Sequence, residues 1–230
     1  MINIHTLTYN EEQLMKFMID HYRARFPNCR IVVNDNISTD KTVQIARRNG
    51  CEVIIDTNFR KLDEPLTAIK NSCWKSAATD WVLVCDLDEL LDINEVQLKE
   101  EEKMDTTIIR SEGYNMVAMQ DTLDIPNMKY GQRDIGHDKA YLFNKKYITE
   151  INYSSGAHIA HPIGTIVYSK KAYNLYHYCY PNYDVTVKKY QMIRNRMTPQ
   201  DIKNTGLYKE NPEEMRELYA QARKAAGKLR

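Results

Sequence analysis

The segment Trp81-Val82-Leu83-Val84-Cys85-Asp86-Leu87-Asp88-Glu89 joins a short apolar run to three carboxylates. Acidic groups beside a core are costly unless something cationic meets them. Side chains alternate along a strand, so Asp86 and Asp88 can face one way while Leu87 turns toward the apolar layer. Two hard oxygen ligands then sit at a strand's carboxyl end, where open α/β sheets bind ligands and a divalent cation could grip a diphosphate. No Gly-x-x-x-x-Gly-Lys loop and no Gly-x-Gly-x-x-Gly turn occurs. A metal is therefore the main candidate for neutralising phosphate charge. Among the histidines, His158 and His161 lie in a glycine-containing turn (Ser154-Ser155-Gly156-Ala157-His158-Ile159-Ala160-His161-Pro162) from which an imidazole can project into a cleft. His177 is an alternative ligand, His5 and His21 read as structural, and His137 beside Asp138 is open. An imidazole ligand favours Mn²⁺ over Mg²⁺.

Elements must position these groups. Residues 2–8 alternate and are rich in β-branched side chains, which predicts a strand. Asn10 with Gln13 resembles a capping box opening a helix with Leu14, Phe17, Met18 and Tyr22 inward. Pro27 stops it, and Ile31-Val32-Val33 leads as a second strand into Asn34-Asp35-Asn36. Ser38, Thr39 or Asp40 can cap the next helix, which ends at Gly50. Residues 51–55 read as a third strand. Leu66, Ile69, Cys73 and Ala77 mark another helix before the strand at 81–85. This βαβα rhythm predicts a largely parallel sheet with right-handed crossovers, and it sets Tyr9, Asp35 and Asp86 along one rim.

Beyond residue 105, strands are expected at 107–110, 114–118, 140–143 and 173–178 without regular helices between them. Residues 120–138 form a long polar connection. A last helix opens at Asn211-Pro212 and buries Met215, Leu218, Tyr219 and Ala222. The expectation is one α/β domain over 1–230, with a regular ligand-binding first half (1–104) and a second half (105–230) of mixed structure that ends in helices.

Composition narrows the function. The 230 residues are 43% hydrophobic, enough for a substantial core, and 32 basic against 31 acidic residues give no global field for nucleic acid or anionic membrane. Five scattered cysteines without a C-x-x-C pair exclude a disulfide framework or zinc ribbon. With no basic n-region ahead of an apolar core and no run of about 18 apolar residues, a cytoplasmic chain without a transmembrane segment is expected.

Thr8-Tyr9-Asn10-Glu11-Glu12, Asp35-Asn36-Ile37-Ser38-Thr39-Asp40-Lys41-Thr42 and Asp86-Leu87-Asp88-Glu89, in this order after successive strands, resemble GT-A-fold nucleotide-sugar glycosyltransferases of the family-2-like kind. His21-Tyr22 in the first helix with the D-x-D-E motif resembles one branch of them, and compact virus-encoded and bacterial enzymes look similar. The likeness is good over residues 1–92 and thin beyond, apart from Gly156-Ala157-His158 and His177-Tyr178. It implies a GT-A, Rossmann-like fold with a mostly parallel central sheet flanked by helices. It implies Tyr9 flanking the nucleobase and Asp35 accepting from the base or ribose, with uridine favoured. Asp86 would lie near ribose and metal, Asp88 would ligate a Mn²⁺ or Mg²⁺ bridging both phosphates, and His158 would complete the metal shell. Lys70 and Asn71, in the helix before the metal strand, could touch the donor.

If transfer inverts the sugar, the attacking hydroxyl needs a base. Of Asp121, Asp124, Asp134 and Asp138, the last is favoured because it leads directly into a strand. Tyr114, Tyr130 and Tyr153 could stack on acceptor sugars. The reading is thus a metal-dependent, hexosyltransferase-like enzyme moving a sugar from a nucleotide diphosphate, UDP favoured, to a glycan or other hydroxyl acceptor. The alternatives are a nucleotidyltransferase that makes nucleotide sugars, disfavoured by acidic Glu11 and Glu12 where a basic loop would serve, and a noncatalytic nucleotide or sugar binding module.

Overall fold

The computed structural model describes residues 1–57, 64–197 and 211–229. β1 (Ile2–Thr8), β2 (Arg30–Asp35), β3 (Glu52–Ile55) and β4 (Trp81–Asp86) pair in parallel in the order β4-β1-β2-β3. The crossovers are α1 (Glu12–Arg25), α2 (Thr42–Arg48) and α3 (Glu64–Ser72). β4 is buried from Trp81 to Cys85, which is why it reads as a continuous apolar run rather than an alternation.

The β1–α1 loop departs from the expected capping box. Asn10 takes φ 53° and its Oδ1 accepts from the Thr39 N–H at 2.7 Å, so α1 opens at Glu12 with no side-chain cap. The Glu11 N–H donates to Thr42 Oγ1 and the Glu12 N–H to Asp40 Oδ2, at 2.8 and 3.1 Å. Asn10 is thus committed to locking two rim loops together, and the sheet edge that carries Tyr9 and Glu11 is fixed. At α2 Asp40 Oδ1 accepts from the Thr42 N–H at 2.9 Å, although the N-cap position itself is Lys41 rather than Ser38, Thr39 or Asp40.

The second half is mixed. β6 (Ile108–Val117) pairs antiparallel with β7 (Tyr130–Arg133) and β8 (Leu142–Asn144), and parallel with β11 (Tyr168–Tyr180). β8 runs antiparallel to β4 and joins the halves into one sheet. β5 (Glu89–Leu91) pairs antiparallel with β11, setting His177 opposite Glu89. β9 (Ile148–Glu150) and β10 (Ile163–Gly164) form a separate pair, and β12 (Gly227–Lys228) edges β7. The helices are α4 (Glu95–Glu102), α5 (Tyr183–Arg194) and α6 (Pro212–Ala225).

The strands expected at 107–110 and 114–118 are one strand, because β11 pairs with β6 through Ser111-Glu112-Gly113. The expected connection at 120–138 holds β7 and the short 3₁₀ turns Ile125–Asn127 and Ile135–His137. The fold is the expected α/β domain with a central sheet flanked by helices. Its core includes Tyr22, Leu83, Tyr141 and Phe143, with Trp74 edge-on to Phe143 at 4.9 Å. Among the described residues, no helix is long and apolar enough to cross a membrane.

Candidate functional site

β4 ends at Asp86, the chain turns, and β5 begins at Glu89. The Leu87 N–H donates to the Leu7 carbonyl at 3.2 Å and Leu87 is buried. That anchor leaves Asp86, Asp88 and Glu89 around a cleft of about 290 Å³, whose far wall is α5 and its C-terminal extension.

Each carboxylate has its own ammonium. Lys70 lies 2.7 Å from Asp86 Oδ2, Lys189 2.5 Å from Asp88 Oδ2 and Lys139 2.7 Å from Glu89 Oε1. Charges this deep persist only when paired and hydrogen-bonded. Lys139 also donates to the Tyr141 hydroxyl and the Gly156 carbonyl, and Tyr141 donates to Glu89 Oε2. Burial would raise Glu89, but Lys139 and His177 outweigh it and hold the carboxyl at about 2. Burial likewise opposes ionisation of Asp88, yet Lys189 and His177 keep it well below the usual carboxylate range. Lys189 bridges to Glu11 at 2.9 Å, so one ammonium serves two acids and its own proton is held far more tightly than usual. Glu11, mostly but not wholly buried, is raised by burial.

Two imidazoles face this acidic turn. His177 Nδ1 donates to Asn115 Oδ1 at 2.8 Å and its Nε2 lies 3.2 Å from Asp88 Oδ2. Burial opposes the imidazolium, but Cys179 and Asp88 beside it lift His177 well above its ordinary value, so a cation at Nε2 would have to displace that proton. His137 stacks on His177 at 4.3 Å between ring centroids. Its Nδ1 donates to Asp134 Oδ2 at 3.0 Å, and Asn115 donates to the same oxygen. Burial and then His177 push His137 down to about 4, so the ring is neutral. The lone pair of its Nε2 consequently faces Glu89 Oε1 at 3.5 Å. Two electron-rich atoms turned on each other make a place for a cation.

Gly113 permits this placement. A Cβ there would lie 2.3 Å from His137 Cβ, so any other residue would push the turn carrying His137 off β6.

Glu89, His137 and His177 bring ligand atoms within 4.8 Å of one another, and they are the only such group of three among the described residues. The expected set Asp86, Asp88 and His158 is therefore not brought together in that way. Its members all line the cleft, and Asp86 and Asp88 are each paired with a lysine, as Glu89 is with Lys139. His158 is exposed, with Nδ1 2.6 Å from the Gly136 carbonyl and its ring edge-on to His137 at 5.6 Å. One carboxylate and two imidazoles, each with its Nδ1 tied to a second side chain, are a donor set that fits a divalent transition metal.

At the other end of the cleft Tyr9 lies under Arg196, whose guanidinium stands 3.9 Å from the ring centroid. Asp35 ends β2, is buried and does not itself line the cleft. Its Oδ2 accepts from the Ser38 N–H at 2.8 Å, while its Oδ1 and that of Asn36 are buried with no partner among the described residues. Asn36 lines the cleft. Lys70 is buried on Asp86, and Asn71 is turned elsewhere: its amide donates to the Tyr153 carbonyl and accepts from the Tyr153 N–H, at 3.2 and 2.7 Å. Asp138 stands outside this cleft. Its oxygens are taken by Arg133 at 2.6 Å and by the Gly113 N–H at 2.9 Å. It lines an adjoining cleft of about 430 Å³ that shares Lys139 and His158 with the first.

Sequence reasoning left His137 open, quoted Glu11 and Glu89 only within motifs, and did not single out Lys139, Lys189 or Arg196. Spacing offered one signal: Lys189, Met192, Ile193 and Arg196 recur at helical intervals after Asn182, which caps α5 by accepting from the Val185 N–H.

The chain belongs to glycosyltransferase family 2, whose model, "Glycosyl transferase family 2", matches residues 4–174. No curated protein matches it significantly. Among solved structures it is similar to S. aureus TarS 1-349, with 17% identity and TM-score 0.48 over 96% of this chain and 69% of that one. The same fragment in complex with UDP-GlcNAc gives 19% identity and TM-score 0.45 over 96% and 70%. The chain covers 43% of a longer TarS structure. The mannosyltransferase PcManGT from Pyrobaculum calidifontis, in complex with GDP-Man and Mn²⁺, gives 20% identity and TM-score 0.37 over 48% of this chain and 34% of that one.

Proposed function

We propose that the chain transfers a sugar from a nucleotide diphosphate, UDP favoured, to a hydroxyl acceptor with the aid of a divalent cation. The observation that carries this is the convergence of Glu89, His137 and His177 beside Asp88, in a cleft that Tyr9 and Asn36 also line, the latter with an unpartnered side-chain oxygen. A nucleobase brings a flat face for Tyr9 and, in uracil, an N–H for such an oxygen. Glu89, His137 and His177 would hold the cation, with Asp88 next to His177. A cation bound there stabilises the negative charge of the departing diphosphate. Lys70 and Lys139 fix the orientation of Asp86 and Glu89, and Asp134 and Asn115 fix the two imidazoles, so the site needs little rearrangement to accept its ligands. The adjoining cleft, which opens at His158 and Lys139, is assigned to the acceptor.

The test is nucleotide release from a panel of UDP-, GDP-, CDP- and ADP-sugars, with Mn²⁺, with Mg²⁺ and with chelator, alongside a mixture of simple glycoside acceptors. Cation-dependent release from one nucleotide class is the expected result. Binding of nucleotide sugars with no turnover under any condition would favour the noncatalytic module, and accumulation of a nucleotide sugar from triphosphate and sugar phosphate would favour the nucleotidyltransferase.

A further inference from the structure

The wall contributed by α5 and its extension is unexplained by the acidic turn or by the imidazole pair. Lys189, Met192, Ile193 and Arg196 all line the cleft, at spacings that set them on one face. The order along that face is cation, apolar, apolar, cation. Lys189 stands at the acidic turn on Asp88 and Glu11, and Arg196 stands over Tyr9. Lys189, Met192 and Ile193 belong to α5, and Arg196 sits in the turn that follows it, where its N–H donates to the Ile193 carbonyl at 3.0 Å.

Resting on the nucleotide-sugar reading above, we propose that this face reads the two ends of the donor: Lys189 binds the diphosphate, and Arg196 closes over the base against Tyr9. A lysine ammonium has three N–H donors, and Asp88 and Glu11 engage two of them, leaving one for a phosphate oxygen. Met192 and Ile193 are half-buried and give the ribose an apolar shelf between the ends. At 3.9 Å the guanidinium covers the Tyr9 face itself, so a base stacking on Tyr9 must displace it and is then covered by it on the outer face through the same cation–π attraction. Both cations lie more than ten residues past position 174, where the family match ends, so this wall belongs to the part of the chain that the family pattern does not describe.

Calorimetric titration with UDP, UMP and uridine tests the assignment without requiring turnover. The parent should bind UDP most tightly. Lys189→Ala should weaken UDP at least tenfold more than uridine, while Arg196→Ala should weaken all three by a similar factor. Lys189→Arg, which keeps the charge on Asp88 and Glu11, covers the case in which the alanine variant does not fold; it should retain UDP binding within a few fold. Thermal denaturation of each variant shows whether it is folded. A folded Lys189→Ala that binds UDP like the parent, or that loses uridine as much as UDP, overturns the diphosphate role while the nucleotide-sugar reading stands. An Arg196→Ala variant with unchanged uridine affinity overturns the base role. A parent that binds none of UDP, GDP, CDP and ADP overturns the nucleotide-sugar reading itself, and this proposal with it.

Discussion

Replacing Glu89 by Gln removes one charge from the most enclosed ion pair of the cleft. Glu89 is 2% and Lys139 3% exposed, and their charged atoms are 2.7 Å apart. Gln keeps an oxygen for the Tyr141 hydroxyl, so the loss is mainly electrostatic: a buried ammonium without its anion. Breaking a buried pair from one side costs about 3 to 5 kcal/mol. At roughly 2 to 4 °C per kcal/mol for a chain of this size, the melting temperature should fall by about 6 to 20 °C. The second arm is Glu89→Gln with Lys139→Met, which removes both charges and should recover a large part of the loss. Urea denaturation monitored by circular dichroism reads both. A single variant within about 1 kcal/mol of the parent, or a double variant no more stable than the single, would refute the reasoning that this pair is mutually dependent.

Other groups make separate demands. His5 is buried with neither ring nitrogen partnered among the described residues, and burial lowers it from 6.5 to about 4. Its contribution to stability is therefore full above pH 6.5 and falls as the pH drops toward 4, by roughly 3 kcal/mol; denaturation at pH 7.5 and pH 4 should show that slice missing in His5→Leu. Asp134→Asn, which loosens the acceptor behind His137, should weaken Mn²⁺ binding about tenfold to a hundredfold by calorimetry, with Mg²⁺ bound more weakly than Mn²⁺ in the parent. Asn71→Ala should cost about 1 to 3 kcal/mol by stranding the Tyr153 backbone groups, yet leave UDP affinity unchanged in titration.

The first half was legible because its signals are local. β-branched runs, Pro27 and the strand-end acids placed β1, β2 and β4 within a residue or two, and with them the rim that carries Tyr9, Asp35 and Asp86. Asn10 misled at α1 because its side chain answers to Thr39, 29 positions away. The same reason hid most of the site. Which lysine meets which carboxylate depends on pairings across 16, 50 and 101 positions, and no periodicity encodes them. His137 looked like a loop residue because the turn that aims it is only three residues long and is held by the absent side chain of Gly113. α5 went unseen because it is rich in valine, threonine and tyrosine, poor helix formers whose preference here is overridden by packing.

The reach of Lys189 also sets a timetable. Glu11 and Asp88 are mostly buried acids whose common counter-charge lies 178 and 101 positions downstream. A ribosome adding about 5 to 20 residues per second exposes Asp88 some 5 to 20 s before Lys189 emerges. Through that interval the parallel half of the sheet can form, but its acidic edge must stay hydrated and open. The cleft closes only when α5 docks, so the step that completes the fold is the same step that completes the site, and the nascent chain has no means of engaging its substrate early.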